Sequence, residues 1–144
     1  MKKNCSLIIG STGFIGSSLS KIINNEKEIF TISRSHLDKS NHFQIDISNH
    51  EAFKDRLLHL SDEYEKLHIF FLAGESSVDS SVSKPVSSFS ESVIPFLILL
   101  ETMKNKSSTI VYSSTGAIYD SREEYFFDEN SPLYPPSPYA ASKH

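Results

Sequence analysis

Residues 5–16 read CSLIIGSTGFIG, an apolar run that closes on Gly10, Gly13 and Gly16. Three of the five glycines of the chain fall in those seven positions. The run Cys5–Ile9 reads as a buried strand. A helix is expected from Phe14, with Leu19, Ile22 and Ile23 at helical spacing and Asn24-Asn25 as its end. Glycines between a strand and a helix have separate uses: Gly10 allows the tight turn, Gly13 lets backbone approach a pyrophosphate, and Gly16 lets the helix pack closely on the sheet. Backbone N–H groups around Phe14 and Ile15, with Thr12 beside them, would face the phosphates at the positive end of the helix. A Walker A loop is excluded, because Ile15 and Gly16 stand where it needs Gly and Lys. A nucleophile elbow is absent as well, since GESSV from Gly74 lacks the final glycine.

Outward from this turn, strands alternate with helices. Glu28–Ser33, Phe43–Ile47, Leu67–Ala73 and Thr109–Ser113 read as strands from their β-branched and aromatic content. A helix with Phe53, Leu57, Leu58 and Leu60 on its inner side follows a cap at Ser48 or Asn49. A long helix is expected over Pro85–Met103, with Val86, Phe89, Val93, Leu97, Leu100 and Met103 as its apolar face and a kink at Pro95. Such alternation predicts an α/β fold: a doubly wound, Rossmann-like parallel sheet of strand order 3-2-1-4-5. Thr115–Pro138 shows no period and is rich in proline; Ser137-Pro138 then starts a last helix.

The chain has 144 residues, 38% of them apolar, one cysteine and a formal net charge of -4. That size fits one domain, the charge disfavours a nucleic-acid partner, and a disulfide within the chain is excluded. The start MKKNCSLIIGSTGFIG does not read as a secretory signal. The apolar run Ile94–Leu100, broken by Pro95, is far short of a membrane span of roughly 20 residues. A cytoplasmic protein without membrane partners is therefore expected. The six histidines show no metal-ligand spacing, so no metal site is expected. Cys5 reads as a small buried side chain, Glu26-Lys27-Glu28 as a solvated turn, and the serine-rich stretch Ser76–Ser92 as polar surface; Glu129 receives no catalytic role.

Two further features carry chemistry. Where an NAD-binding strand would end in a carboxylate for the ribose 2′-hydroxyl, this chain has Ser33-Arg34. Loss of the carboxylate removes repulsion against a 2′-phosphate, and Arg34 could clamp it, which favours NADP over NAD. Tyr139 and Lys143, four apart in SPYAASKH, share one helix face. A phenol serves as acid/base near neutrality only if its pKa drops by about 3 units, which a nearby lysine and an oxidised nicotinamide can supply. Thr115 at the end of the fifth strand, or Ser113 or Ser114, would orient the substrate oxygen.

GSTGFIG, QIDIS, FFLAGESSVDSSVSKP, VYSSTGAIYD and DENSPLYPPSPYAASK together resemble the N-terminal part of an extended short-chain dehydrogenase/reductase of the NAD-dependent epimerase/dehydratase family. The resemblance implies nucleotide-sugar substrates and hydride exchange with a nicotinamide cofactor, NADP or NAD. It implies Tyr139 as acid/base, Lys143 lowering its pKa and holding the nicotinamide ribose, and Thr115 bonding the reacting oxygen. Asp46 would contact the adenine amino group with Ile47 beside it, and Leu72, Ala73 and Gly74 would line the cofactor. Full-length members often pair through the long helices, so a homodimer is implied too.

Departures refine this picture. Gly116 and Ala117 stand where the family's 4,6-dehydratases have Asp-Glu, so an epimerase or reductase is expected. Ser92 replaces the family's asparagine, Pro95 a glycine, and Asp120 the glycine after Ile-Tyr. The chain stops just after the Tyr-x-x-x-Lys pair, so residues 1–144 are expected to be an incomplete NAD(P)-binding domain without the substrate-binding region. Alone it is expected to be inactive, with Lys143 fraying and the fifth strand an open edge. The competing functions are a non-catalytic dinucleotide-binding module, a degenerate remnant, and a reductase of non-sugar carbonyls.

Overall fold

The opening apolar run forms strand β1 (Asn4–Ile9), whose residues from Cys5 onward are all buried. A strand without a polar face belongs in the middle of a sheet covered on both sides. A computed structural model, which describes residues 3–23, 28–119 and 126–144, places it there. β2 (Glu28–Ser33), β3 (His42–Gln44), β4 (Lys66–Phe71) and β5 (Ser108–Tyr112) complete a five-stranded sheet of order β3-β2-β1-β4-β5. All pairings are parallel, with Leu7 opposite Phe30 and Ile69, as the alternation of strands and helices predicts. β5 and β3 are its edges.

The helices are α1 (Phe14–Ile23), α2 (His50–Glu63), α3 (Val78–Ser83), α4 (Pro85–Met103) and α5 (Pro138–Lys143). The expected helix end at Asn24-Asn25, the Glu26-Lys27 turn and Asp120 lie outside the described residues. The chain divides into two compact units. The first, Met1–Ala73 with Ile94–Ser113, holds the sheet and its core: Leu7, Ile9, Ile32, Phe53, Leu57, Leu60, Leu67, Ile69, Phe71, Leu99 and Met103. Each such side chain contributes about 1.5–3 kcal/mol by leaving water. Cys5 is part of this core; burial, with help from Glu28 and Glu63, pushes its thiol up to about 12. The second unit, Gly74–Val93 with Ser114–His144, holds α3, a short 3-10 turn (Gly116–Ile118), an antiparallel bridge between Tyr119 and Leu133, and α5.

Three expectations need correction, and the open choice of cap for α2 is decided. β3 stops at Gln44 rather than Ile47, because Asp46 Oδ1 accepts from the Ser48 N–H and hydroxyl and turns the chain. That occupies Ser48, so Asn49 caps α2 by accepting from the Ala52 N–H. Thr115–Pro138 is not wholly irregular, since it contains the 3-10 turn and the bridge.

The long helix has the expected bounds and buries Met103 as expected, but the rest of its packing face differs from the expected one. Its buried positions are Ser88, Ser92, Pro95, Leu99 and Met103. Val86 (79%) and Leu97 (51%) are open to solvent, as are Phe89 and Leu100, and Val93 is half-buried. From residue 93 to 100 α4 is apolar all round, so spacing alone could not choose the side that packs. By length and composition it could also cross a membrane, which counting only Ile94–Leu100 missed, yet its Leu99 and Met103 lie in the core of the sheet unit.

The glycines permit a sharp test. A side-chain carbon on Gly16 would lie 2.2 Å from the Gly10 carbonyl oxygen and 2.9 Å from Ser11 Cα, both backbone, whereas one on Gly116 meets nothing within 4 Å. Gly16→Ala is expected to cost about 2–3 kcal/mol in urea unfolding, and Gly116→Ala under about 0.5 kcal/mol. Equal midpoints for the two variants would refute the close approach.

Candidate functional site

The first part of the site is the turn from β1 to α1. Gly10, at φ +91°, donates its N–H to Ile32 O at 2.9 Å, and the Gly13 N–H closes the turn onto Gly10 O at 3.1 Å. The first bond of the helix runs from Ser17 N–H to Gly13 O, so the N–H groups of Phe14, Ile15 and Gly16 precede it. Thr12, Gly13, Phe14 and Ile15 are all exposed, Phe14 at 92%. A Cβ on Gly13 would touch only Gly10 O, at 3.3 Å, and would stand over this bare backbone. Free helix-start donors, a favourable dipole and no side chain at Gly13 fit a diphosphate. Gly16 works differently from expectation: the surface it lets the helix approach is the turn's own backbone, at Gly10 and Ser11.

Gly10 also explains the line from Leu72 to Ala73. A Cβ there would come within 2.8 Å of Ala73 N and 2.9 Å of Leu72 C, so the turn lies directly on the end of β4. Leu72 and Ala73 are half-buried, and the Leu72 N–H still bonds Ile9 O.

At the end of β2 the two candidates separate. Ser33 is buried, and its hydroxyl donates to Ser35 O at 2.9 Å, so it shapes the turn rather than facing a ligand. Arg34 is exposed. β3 ties the turn around it: His42 Nε2 lies 2.9 Å from Ser35 O, and Gln44 Nε2 donates to Arg34 O at 3.1 Å. His42 and Gln44 are two residues apart and so project from one face of β3. Asp46 is exposed beyond them, with Ile47 half-buried beside it. Hydrogen bonds from the Ser48 N–H and hydroxyl, and the positive charge of Arg34, hold the Asp46 carboxyl below its ordinary value.

A separate candidate region lies in the other unit. Thr115 accepts from the Ala117 N–H at 3.2 Å as the cap of the 3-10 turn, which packs on α5. α5 has six residues, too few to persist by itself, yet its first-turn backbone donors are satisfied. Pro138 has no N–H; Tyr139 donates to Ser81 Oγ at 3.0 Å, Ala140 to Ser137 Oγ at 3.1 Å, and Ala141 to Ser137 O. At the other end the Ser114 hydroxyl donates to Lys143 O at 2.8 Å. Lys143 therefore does not fray: it is 7% exposed. Burial pushes its ammonium below the ordinary lysine value. Its Nζ lies 3.2 Å from where Gly74, at φ +128°, would carry a Cβ, with Ser92 Oγ at 3.0 Å from the same point. Tyr139 is half-buried one helical turn before it.

The serine-rich stretch contributes more than polar surface. Ser81 and Ser92 are fully buried and hold Tyr139 and the Gly74–Glu75 turn. Sequence reasoning missed them because a buried serine and an exposed one look alike in a polar run. Among the described residues no cluster of His, Cys, Asp and Glu could hold a metal ion.

The chain as a whole is similar to known proteins. A family model described as GDP-mannose 4,6 dehydratase matches residues 7–144. The dTDP-glucose 4,6-dehydratase of Haemophilus influenzae is 30% identical, over 95% of this chain and 47% of its own. The CDP-paratose 2-epimerase of Salmonella typhi is 29% identical, over 89% and 41%. The crystal structure of Thermus thermophilus UDP-glucose 4-epimerase in complex with NAD superposes with a TM-score of 0.79 at 27% identity, covering 96% of this chain and 47% of that one. The chain thus spans about half the length of the curated relatives it matches. The match takes in the glycine turn as well as Thr115, Tyr139 and Lys143, and the chain belongs to the GDP-mannose 4,6-dehydratase family, the NAD-dependent epimerases and dehydratases of the extended short-chain dehydrogenase/reductase type.

Proposed function

We propose that residues 1–144 form the NAD(P)-binding part of a nucleotide-sugar oxidoreductase of the epimerase or reductase kind. The observation that carries this reading is Lys143, a lysine kept 7% exposed one turn after Tyr139, its Nζ 3.2 Å from the place a Cβ on Gly74 would take. Backbone donors at Phe14 and Ile15, with Thr12 and Gly13, bind the diphosphate. Asp46 accepts from the adenine amino group beside Ile47, and Leu72, Ala73 and Gly74 line the cofactor. A bound nicotinamide supplies hydride exchange at a sugar carbon. Tyr139 takes the proton from the hydroxyl on that carbon and returns it. The Lys143 ammonium favours the phenolate that results and bonds the nicotinamide ribose. Thr115 uses its oxygen lone pair on the Ala117 N–H, which leaves the hydroxyl proton to donate to the sugar oxygen. Gly116 and Ala117 bring no acid or base, which speaks for epimerisation or reduction over dehydration. The net charge of -4 and the core position of Leu99 and Met103 support a soluble, cytoplasmic protein without nucleic-acid or membrane partners.

Cofactor choice follows from Arg34. It is exposed on a turn tied by His42 and Gln44, with no carboxylate at Ser33 or Arg34 to repel a 2′-phosphate. NADP is therefore favoured over NAD. In calorimetric titration Arg34→Ala should lower NADP affinity about tenfold or more and change NAD affinity little. Gly13→Val should abolish both. Absence of heat with either cofactor at millimolar concentration would end the dinucleotide reading, and binding without any Tyr139-dependent chemistry would leave a binding module.

Lys143 adds a test by pH. Its pKa is lower in the folded chain than in the unfolded one, so the unfolded state holds more protons between the two values. Stability contributed at this position therefore rises with pH across that window. Lys143→Met should be neutral to about 1 kcal/mol more stable at pH 7 and lose that advantage in alkali, while abolishing any Tyr139-dependent turnover. A variant markedly less stable at pH 7 would contradict this.

The apolar outer positions of α4, Val86, Phe89, Ile94, Leu97 and Leu100, favour a homodimer. Leu97→Glu should then shift the sedimentation coefficient to that of a monomer.

A further inference from the structure

Glu75 follows the Gly74 turn, and its main chain and side chain enter two different sets of bonds. Its N–H donates to the fully buried Ser92 hydroxyl at 3.0 Å. That hydroxyl and Lys143 Nζ are the groups that crowd the Cβ position of Gly74. The Glu75 carboxylate accepts from the Ser76 N–H at 2.7 Å and the Ser77 N–H at 2.8 Å through Oε1, and from the Ser80 hydroxyl at 2.8 Å through Oε2. These bonds wind the chain into α3, where Ser77 accepts from the Ser80 N–H. The next residue, Ser81, is fully buried, donates to Val78 O at 2.6 Å and accepts from the Tyr139 N–H at 3.0 Å.

We propose that Glu75 is a positioning residue for the Tyr139–Lys143 pair: its carboxylate fixes α3 so that Ser81 sets the start of α5, while its N–H fixes the turn at Gly74 through Ser92. The proposal rests on Tyr139 and Lys143 being the working pair. Water could satisfy exposed N–H groups at Ser76 and Ser77, so the carboxylate is not needed merely to pair them. What it supplies is selection of one geometry in two six-residue helices, each too short to choose its own. Three charge-assisted bonds on one carboxylate are a strong means of doing so. Glutamine can keep all three, since its carbonyl accepts from both N–H groups and its amide donates to the Ser80 oxygen.

Amide hydrogen exchange on the 144-residue chain without cofactor reads the latch directly. The Tyr139 amide should exchange about tenfold faster in both Ser81→Ala and Glu75→Ala and return near wild type in Glu75→Gln, with the Leu7 and Ile69 amides unchanged. Should Glu75→Ala fail to fold, Ser80→Ala removes one of the three bonds and should accelerate Tyr139 by a smaller factor. Acceleration in Ser81→Ala but in neither Glu75→Ala nor Ser80→Ala would overturn the role of Glu75, as would failure of Glu75→Gln to restore protection. A separate arm records the Tyr139 ring resonance of the wild type on adding NADP. A shift supports the pair on which the proposal rests; a silent ring overturns that pair whatever the exchange rates are.

Discussion

The carbonyl oxygen of Gly10 accepts the Gly13 N–H at 3.1 Å and also occupies the place a side chain on Gly16 would need. The same residue lies so near Ala73 N that it can carry no side chain of its own. Three constraints thus meet on one peptide: the turn closes, α1 starts at once, and the end of β4 comes alongside. Each excludes a Cβ against backbone, which cannot swing aside as a flexible side chain could. The exposed donors at Phe14 and Ile15 are a consequence, because a turn this tight leaves the helix start bare.

Steric exclusion of this kind is legible in sequence, since only glycine satisfies it and glycine is visible. The same holds for β1 and β2, whose β-branched and apolar content marks them as strands, and for the order β3-β2-β1-β4-β5, which follows from alternation and handedness. Pro85 and Met103 bounded the long helix correctly. Its packing face was illegible because residues 93–100 are apolar on every side and leave no stripe. Ser88, Ser92 and Pro95, the residues least suggestive of a core, are buried together with Leu99 and Met103, and Val86 and Leu97 are not.

Hydrogen-bond partners far apart in sequence were hidden as well. Ser48 and Asn49 were equal candidates as caps until Asp46 took the Ser48 hydroxyl. Tyr139, Lys143 and Thr115 could be picked out by spacing and resemblance, but the helix bearing two of them looked too short to hold. It holds because Ser81, 58 positions earlier, and Ser114, 29 positions earlier, supply the partners its own ends lack. No local pattern encodes such a pairing.

The glycine turn and the last helix are consequently built on different physics. The glycine turn depends on absence of atoms, and its failure on substitution should be abrupt, because a carbon 2.2 Å from a carbonyl oxygen has no partial solution. The Tyr139–Lys143 helix depends on single hydrogen bonds from serines, each worth about 1 kcal/mol net. Loss of one should loosen the pair by degrees and leave the sheet unchanged. A short helix held from outside can keep a lysine at 7% exposure, where its ammonium is disfavoured, because the cost is borne by bonds in that unit and not by the hydrophobic core. The turn and the helix can then vary separately under mutation: glycine positions decide whether the turn closes, and serine positions decide how firmly the phenol and the ammonium are set.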